Sequence, residues 1–438
     1  MKKNKNKQIF LRLAVLLLTL ALALGATSCS YFGGSPVINL GGGQNTEQSG
    51  NISDVFDELA LIDSLFQSNS LFETDNEALM NAVLKGYVEG TGDRYAEYFT
   101  EEEYQSLTSQ NKGELVGIGI SVVQNTENKY PQIVNVFQNS PALESGVLPG
   151  DVIVYIGIGD NKKSVSELGY TMALDLLAGV EGSKAEFVVL RDGEEIEFSI
   201  TRRKVTVTAV SHRTYTPTGG EKVGIVRITE FDLTTPASFE SSVDSLLAEG
   251  CRYVIFDVRN NPGGDLNSII AVLAFFLDEG DVVIRTSDRN KNETVQKIAP
   301  VKYSGDYADC SIDKSDIGKY KELECAVLTN GNTASAAELF SAALKDHEVS
   351  FTVGTATFGK GTMQSILRLD RYGYSGALKL TTKYYYPPLS DSYEGKGITP
   401  DVEVELSEEL EGVNVYLIED ADDNQLAAAI EALVSRAK

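Results

Sequence analysis

The stretch Leu328-Thr-Asn-Gly-Asn-Thr-Ala-Ser-Ala-Ala-Glu338 reads as strand, tight turn and helix, and puts Ser335 at the helix start. A hydroxyl held there is exposed and close to N–H groups that have no intrahelical partner, donors that suit an oxyanion. Ser335-Ala-Ala-Glu338 also fits a capping box, in which serine only satisfies the helix start. A cap calls for no base elsewhere, yet one is offered 25 residues further on, in Phe358-Gly-Lys-Gly-Thr-Met-Gln364. Lys360 between two glycines is an unfavourable place for an ordinary surface charge. The intervening helix and the short strand Phe351 to Val353 would return the chain to the serine, so a Ser-Lys pair is geometrically reasonable. To act as general base, a lysine must be buried enough that its pKa falls toward about 7 to 8. Phe358, Met363 and Ile366 offer an apolar setting. Gln364 could hydrogen-bond the amine without adding charge, whereas a carboxylate there would raise the pKa.

Two further segments bear on this chemistry. Asp257-Val-Arg-Asn-Asn-Pro-Gly-Gly-Asp265 reads as a buried strand ending in a turn whose glycines let backbone N–H groups face a ligand, an oxyanion hole in outline. Gly395-Lys-Gly-Ile-Thr-Pro-Asp401, read alone, is a turn before a strand. A histidine triad is the competing serine chemistry. His347 lies at the far end of the helix that Ser335 begins, about 18 Å away at 1.5 Å per residue. His212 falls in an interdomain strand, and neither histidine receives a role. Two histidines and four cysteines supply no zinc or iron–sulfur spacing, so a metal-independent mechanism without cofactor is expected.

These residues need a scaffold, and 438 residues predict two or three domains. A net charge of −25 and a pI near 4.5 argue against a nucleic-acid partner. Residues 1–28 have targeting chemistry: Lys2, Lys3, Lys5 and Lys7, then an apolar run from Leu13 to Leu24, then small residues. That run is short against the roughly 20 residues that span hydrocarbon. Ala26-Thr27-Ser28-Cys29 resembles a bacterial lipoprotein signal, which implies lipidation of Cys29 and anchoring to the outer face of the cytoplasmic membrane. Residues 29–52 have the composition of a flexible tether. Outside the cytoplasm thiols can oxidise, but nothing demands pairing of Cys310 with Cys325, and they and Cys251 are read as free.

Residues 53–110 carry helical periodicity and an aromatic cluster of Tyr95, Tyr98 and Phe99, read as core. Residues 111–204 change to short strands and turns. Gly117-Ile118-Gly119-Ile120 and Ser140-Pro-Ala-Leu-Glu-Ser-Gly-Val-Leu-Pro-Gly-Asp151, with a helix from about Ser166 to Leu177 and a hairpin turning at Asp192-Gly193, together resemble a PDZ domain, a β-sandwich or partly open barrel with helices. The resemblance implies that Gly117 to Ile120 hold a peptide's terminal carboxylate through backbone N–H groups, the peptide adding as a strand. Residues 205–405 alternate strands and helices, as in an α/β layered domain. Residues 406–438 form an acidic tail ending in a surface helix over Gln425 to Leu433.

From about Asp57 onward, the Asn-Asn-Pro-Gly-Gly, Thr-Ala-Ser-Ala-Ala-Glu and Gly-Lys-Gly-x-x-Gln segments taken in order resemble the carboxy-terminal processing (tail-specific) proteases. The resemblance implies a multidomain α/β serine endopeptidase that cleaves exported proteins near apolar C-termini. Ser335 matches the nucleophile, Lys360 the base and Gln364 the residue orienting it. Backbone N–H groups of Gly263 and Ala336 match the oxyanion hole, with Gly264 the alternative, and Glu338 matches a position near the dyad read as structural capping. The PDZ domain would engage substrate tails or gate the site. A homodimer and a regulatory protein are among the partners the resemblance allows. Asp93-Arg94-Tyr95 stands where many relatives have Asp-Pro-Tyr, and Pro387-Pro-Leu-Ser-Asp-Ser-Tyr-Glu394 replaces a Pro-Ser-Gly-rich stretch. The rival expectation is a lipid-anchored peptide-binding protein whose α/β domain is inert.

Overall fold

A computed structural model describes residues 52–125, 128–137, 139–191, 193–410 and 413–436. The expected signal segment, Cys29, nearly all of the tether and Asp192 of the hairpin turn lie outside the described residues. The chain divides into two compact units, Met1–Asp75 and Asn76–Lys438. In the first, the helix Ile52–Asn69 leaves Phe56, Ile62, Leu65 and Phe66 exposed. Among the described residues no helix is long and apolar enough to cross a membrane.

The second unit holds everything that bears on the chemistry. Its N-terminal part is less wholly helical than expected. After the helix Asn76–Gly90 the chain forms the strand Glu97–Phe99, and this strand pairs antiparallel with Ala377, Leu378 and Lys379. Tyr98 and Phe99 are therefore buried by a partner almost three hundred residues away. The helix Glu101–Asn111 follows, capped at Thr100, whose hydroxyl accepts from Glu103 N–H while the Glu103 carboxylate accepts from Thr100 N–H.

The PDZ-like module is attached by a two-stranded ribbon, Glu114–Gly117 against Arg203–Thr206. Its main sheet runs Ile120–Gln124, Pro131–Val136, Val152–Ile156, Lys184–Arg191 and Glu194–Thr201 around a core that includes Ile133, Ile153, Phe187 and Val189. The single helix expected over 166–177 is instead two, Val165–Leu168 and Tyr170–Leu177. Gly169 breaks them at φ 82°, a conformation in which a Cβ would be strained.

A six-stranded sheet organises the catalytic domain, in the order Val210–Tyr215, Val223–Ile228, Tyr253–Asp257, Glu324–Thr329, Ser350–Gly354, Val402–Glu403. All pairs are parallel except the first. A parallel sheet must be covered on both faces, which is why its central strands read as nearly unbroken apolar runs. One face carries the helices Thr235–Ala248, Leu266–Ala274 and Ala336–Asp346 over a cluster of Phe231, Phe239, Phe256, Phe276 and Phe340. The other is covered by the C-terminal helix Asn424–Arg436, and here the expectation of a surface helix is corrected. Leu426, Ala429, Ile430 and Leu433, spaced as one helical stripe, are buried against Ile225, Ile255, Leu328 and Val353. Each buried Leu or Ile contributes about 1.5–3 kcal/mol. A second sheet, with Thr362–Arg368 on one edge of Ala377–Tyr386, carries the lysine segment.

Candidate active site

Ser335 sits where the strand Glu324–Thr329 turns into the helix Ala336–Asp346, with φ 55° and ψ −118°. A non-glycine residue at positive φ is strained by a few kcal/mol at most and persists only where its surroundings hold it. They do so on three sides. The preceding loop is fastened to the Asp257–Asp265 turn: Thr333 Oγ1 donates to Val258 C=O at 2.9 Å and Ala334 N–H to Asn261 C=O at 2.9 Å. Asn260 and Asn330 close a reciprocal pair, at 3.0 Å from Asn260 N–H and 2.9 Å from the Asn330 amide.

The third constraint is Glu338, fully buried at the first helical turn. Its Oε2 accepts from Ser335 N–H at 2.8 Å and Lys360 N–H at 2.9 Å, and its Oε1 from Gly359 N–H at 2.7 Å and Thr357 Oγ1 at 2.6 Å. One carboxylate thus clasps the backbones of both residues singled out for chemistry, a wider role than capping. Burial holds its pKa above the usual carboxylate value, against the four donors, which act to lower it.

The lysine loop is built backbone on backbone. A Cβ on Gly359 would lie 2.7 Å from Gly397 N, and one on Gly397 would lie 2.1 Å from Thr357 O, so neither position admits a side chain without moving the chain. Gly395 N–H donates to Gly359 C=O at 2.8 Å and Ile398 N–H to Thr357 Oγ1 at 2.7 Å. The Gly395–Asp401 segment, weak as a sequence signal, is therefore the buttress of the lysine loop. Tyr385, buried, donates its hydroxyl to Lys360 C=O at 2.6 Å.

Lys360 itself is half-buried, with Nζ 4.6 Å from the centre of the Tyr95 ring. Burial is the main cause holding its pKa below the usual lysine value. Lys379 and Arg94 act in the same direction, and Glu338 and Glu394 oppose them. The apolar setting differs from the one expected: Phe358 and Ile366 are 50% and 40% exposed, and the ring in contact with the amine is Tyr95. Gln364 borders the same cleft, but its Nε2 donates to Thr362 Oγ1 at 3.3 Å and Thr381 Oγ1 at 3.2 Å.

The expected oxyanion hole needs one correction. Gly263 packs directly on the nucleophile turn, since a Cβ there would lie 2.8 Å from both Ser335 Cβ and Ala336 N. Its N–H, however, is already taken by Asn261 Oδ1 at 2.8 Å, and Asn261 is fixed in that orientation by donating to Ile228 C=O at 2.9 Å. Phe231 pairs with this turn in parallel register, accepting from Asp265 N–H and donating to Gly263 C=O, which leaves Gly264 N–H directed away from Phe231. Gly263 N–H is thus occupied, whereas Gly264 N–H and Ala336 N–H, the latter at the first helical position, take no part in these bonds.

Ser335, Lys360, Gln364, Gly263, Gly264, Ala336 and Tyr385 border one cleft of about 470 Å³. His212 Nδ1 pairs with Ser242 Oγ and His347 Nε2 with Val282 C=O, and neither histidine borders the cleft. In the PDZ-like module, Gly119 has φ 82° and its Cβ would lie 2.3 Å from Ser140 Cβ, so the Gly-Ile-Gly-Ile turn is held tightly over a buried serine. Cys251, Cys310 and Cys325 are buried free thiols. Sequence reasoning missed Asn261 and Tyr385, and placed Tyr95 in a core cluster and a variant turn rather than beside the lysine. The motif Asn-Asn-Pro-Gly-Gly contains Asn261, but nothing local distinguishes the role of its side chain.

Residues 222–404 match the peptidase family S41 and residues 116–201 the PDZ domain. The chain is 30% identical over 378 residues to a carboxy-terminal-processing protease of Bartonella bacilliformis, covering 84% of this chain and 80% of that protein. It is 29% identical over 360 residues to a CtpA-like serine protease of Staphylococcus saprophyticus, covering 82% and 67%. A solved Bacteroides fragilis chain assigned to the S41 proteases shares the fold, with TM-score 0.55 at 16% identity over 86% of this chain and 97% of that one. Fold and cleft are those of a serine-type peptidase, whose substrates are peptides or proteins. Within that class, the chain belongs to the carboxy-terminal processing proteases of peptidase family S41.

Proposed function

We propose that this enzyme cleaves exported proteins near apolar C-termini through an acyl-enzyme on Ser335. Neutral Lys360 takes the hydroxyl proton as Oγ bonds to the scissile carbonyl carbon, and the resulting oxyanion is received by the N–H groups of Gly264 and Ala336. The protonated lysine returns its proton to the departing amine. Water, deprotonated by the same lysine, then attacks the acyl carbon, and the lysine passes that proton to Ser335 Oγ as the acyl–oxygen bond breaks, restoring both groups. Gln364 orients the amine from the neighbouring strand. The single observation that carries this reading is the Glu338 clasp, whose one oxygen accepts from Ser335 N–H and Lys360 N–H together. An inert scaffold has no need to fasten a strained serine to a glycine-flanked lysine.

The PDZ domain receives the substrate's terminal carboxylate at Gly117 to Ile120 or gates the cleft. Supporting the gate, its ribbon rises directly from Asn111 to Gly113, Asn111 borders the cleft, and Asn111 C=O accepts from Leu233 N–H at 2.8 Å, two residues from the Phe231 that pairs with the oxyanion loop. Lipidated Cys29 anchors the enzyme at the outer face of the cytoplasmic membrane, and its partners include a second copy and a regulatory protein. The test is a purified Ser335→Ala or Lys360→Ala protein against an unfolded protein with an apolar tail. Both variants are expected to lose cleavage while the parent shows an acyl-enzyme mass on acid quench. Full cleavage by either variant refutes the assignment, and saturable binding without cleavage by the parent favours a peptide-binding scaffold.

A further inference from the structure

We propose that the Asp93–Tyr95 turn positions the general base: the face of Tyr95 seats the Lys360 amine, and Arg94, on the same ring, sets how readily that amine gives up its proton. The inference rests on Lys360 being the base. Lys360 Nζ and Arg94 Cζ each lie 4.6 Å from the centre of the Tyr95 ring, and Arg94 Cζ is also 5.9 Å from that of Phe358. The Arg94 guanidinium donates to the Tyr95 hydroxyl. A ring face attracts a cation by its quadrupole, so it gives the lysine a defined resting place without a carboxylate, which would hold the proton too tightly.

The turn is anchored to the strand that lines the base. Asp93 accepts from Thr381 N–H at 2.8 Å, from Thr381 Oγ1 at 2.9 Å and from Tyr95 N–H at 3.1 Å. Thr381 Oγ1 in turn accepts from the Gln364 amide at 3.2 Å. Tyr95 is thereby held in register with both the lysine and the amide proposed to orient it. The groups facing Lys360 are Arg94 from this turn, Lys379 from the neighbouring strand, Glu338 from the nucleophile helix and Glu394 from the buttress loop. Arg94 and Lys379 oppose a proton on the amine, and Glu338 and Glu394 favour one. A second cation on Tyr95 therefore weakens the ammonium form that the ring alone would stabilise.

The experiment measures kcat and KM from pH 5 to 10 on a fluorogenic peptide with an apolar C-terminus, using the purified protein and three variants. Arg94→Ala is expected to move the acid limb of kcat/KM to higher pH, with several-fold loss at pH 7 recovered at pH 9. Tyr95→Leu is expected to lower kcat about tenfold or more with KM little changed, and Tyr95→Phe, which keeps the ring, to recover kcat. An Arg94→Ala profile that superimposes on the parent, or a Tyr95→Phe protein as impaired as Tyr95→Leu, overturns the proposal. Arg94 is exposed, so its variant decides the matter even if Tyr95→Leu fails to fold. A Lys360→Ala protein as active as the parent would instead remove the dyad on which the inference rests.

Discussion

Replacing Glu338 by glutamine exchanges one carboxylate oxygen for an NH₂ group at the point where four donors converge. With the NH₂ toward Ser335 and Lys360, both N–H donors there face a third; with it toward Gly359, the Thr357 hydroxyl can turn to accept and one N–H donor is left facing it. Hydrogen bonds to a charged group contribute about 1.5–3 kcal/mol each, so one or two lost ones destabilise the fold by roughly 1.5–6 kcal/mol before relaxation. Either orientation detaches a residue of the nucleophile turn or the lysine loop. A misplacement on the order of 1 Å can reduce kcat about a hundredfold, and a loss of at least about tenfold is expected with little change in KM. A second effect has its own sign. Glu338 raises the proton affinity of Lys360, so removing its charge makes the lysine a weaker base, and the acid limb of the rate profile moves to lower pH even as the plateau falls. Thermal melting and pH–rate profiles of parent and Glu338→Gln proteins read both effects. A variant with unchanged melting and kcat, or one whose acid limb moves to higher pH, would falsify the clasp.

Two other perturbations reach the site from farther away. Gly397→Ala would place a Cβ 2.1 Å from Thr357 O at a φ of 75°, so the lysine loop must shift; kcat should fall about tenfold or more while tail-peptide binding by the PDZ domain, followed by fluorescence anisotropy, persists. Arg259 is buried between Asp257 and Asp423, donating to Asp257 Oδ1 and Oδ2 at 2.9 Å and to Asp423 Oδ2 at 2.7 Å. Asp423→Ala removes two of the five hydrogen bonds of that guanidinium, leaving those to Asp257 and Gln425, and should destabilise the catalytic domain by about 3–5 kcal/mol in urea unfolding, and a loss under about 1 kcal/mol refutes the argument.

What was legible in the sequence follows from the range of the interactions. Ser335, Lys360 and the glycine turns were readable because each is a local requirement: a helix start, a charge between glycines, a backbone that must approach another. The two layers of the catalytic domain were readable from unbroken apolar strands, which call for cover on both faces. The C-terminal helix shows the limit of the method. Its Leu426, Ala429, Ile430 and Leu433 stripe was visible as a pattern, but an acidic context drew it to the surface, and only the uncovered sheet face explains its burial.

The same limit separates the two halves of the oxyanion loop. That glycines place N–H groups near a ligand is a local inference, and both Gly263 and Gly264 satisfied it. Which of the two is available depends on Asn261, whose amide orientation is set by Ile228 C=O on a strand more than thirty residues away. Tyr95 is the extreme case, since it meets Lys360 only because Glu97–Phe99 adds to a strand near the other end of the chain. The residues proposed for the bond-making were therefore accessible from motif chemistry, while those that hold them in place belong to pairings across the fold. In this enzyme the second group includes a side chain, Arg94, whose influence on the base no local pattern announces.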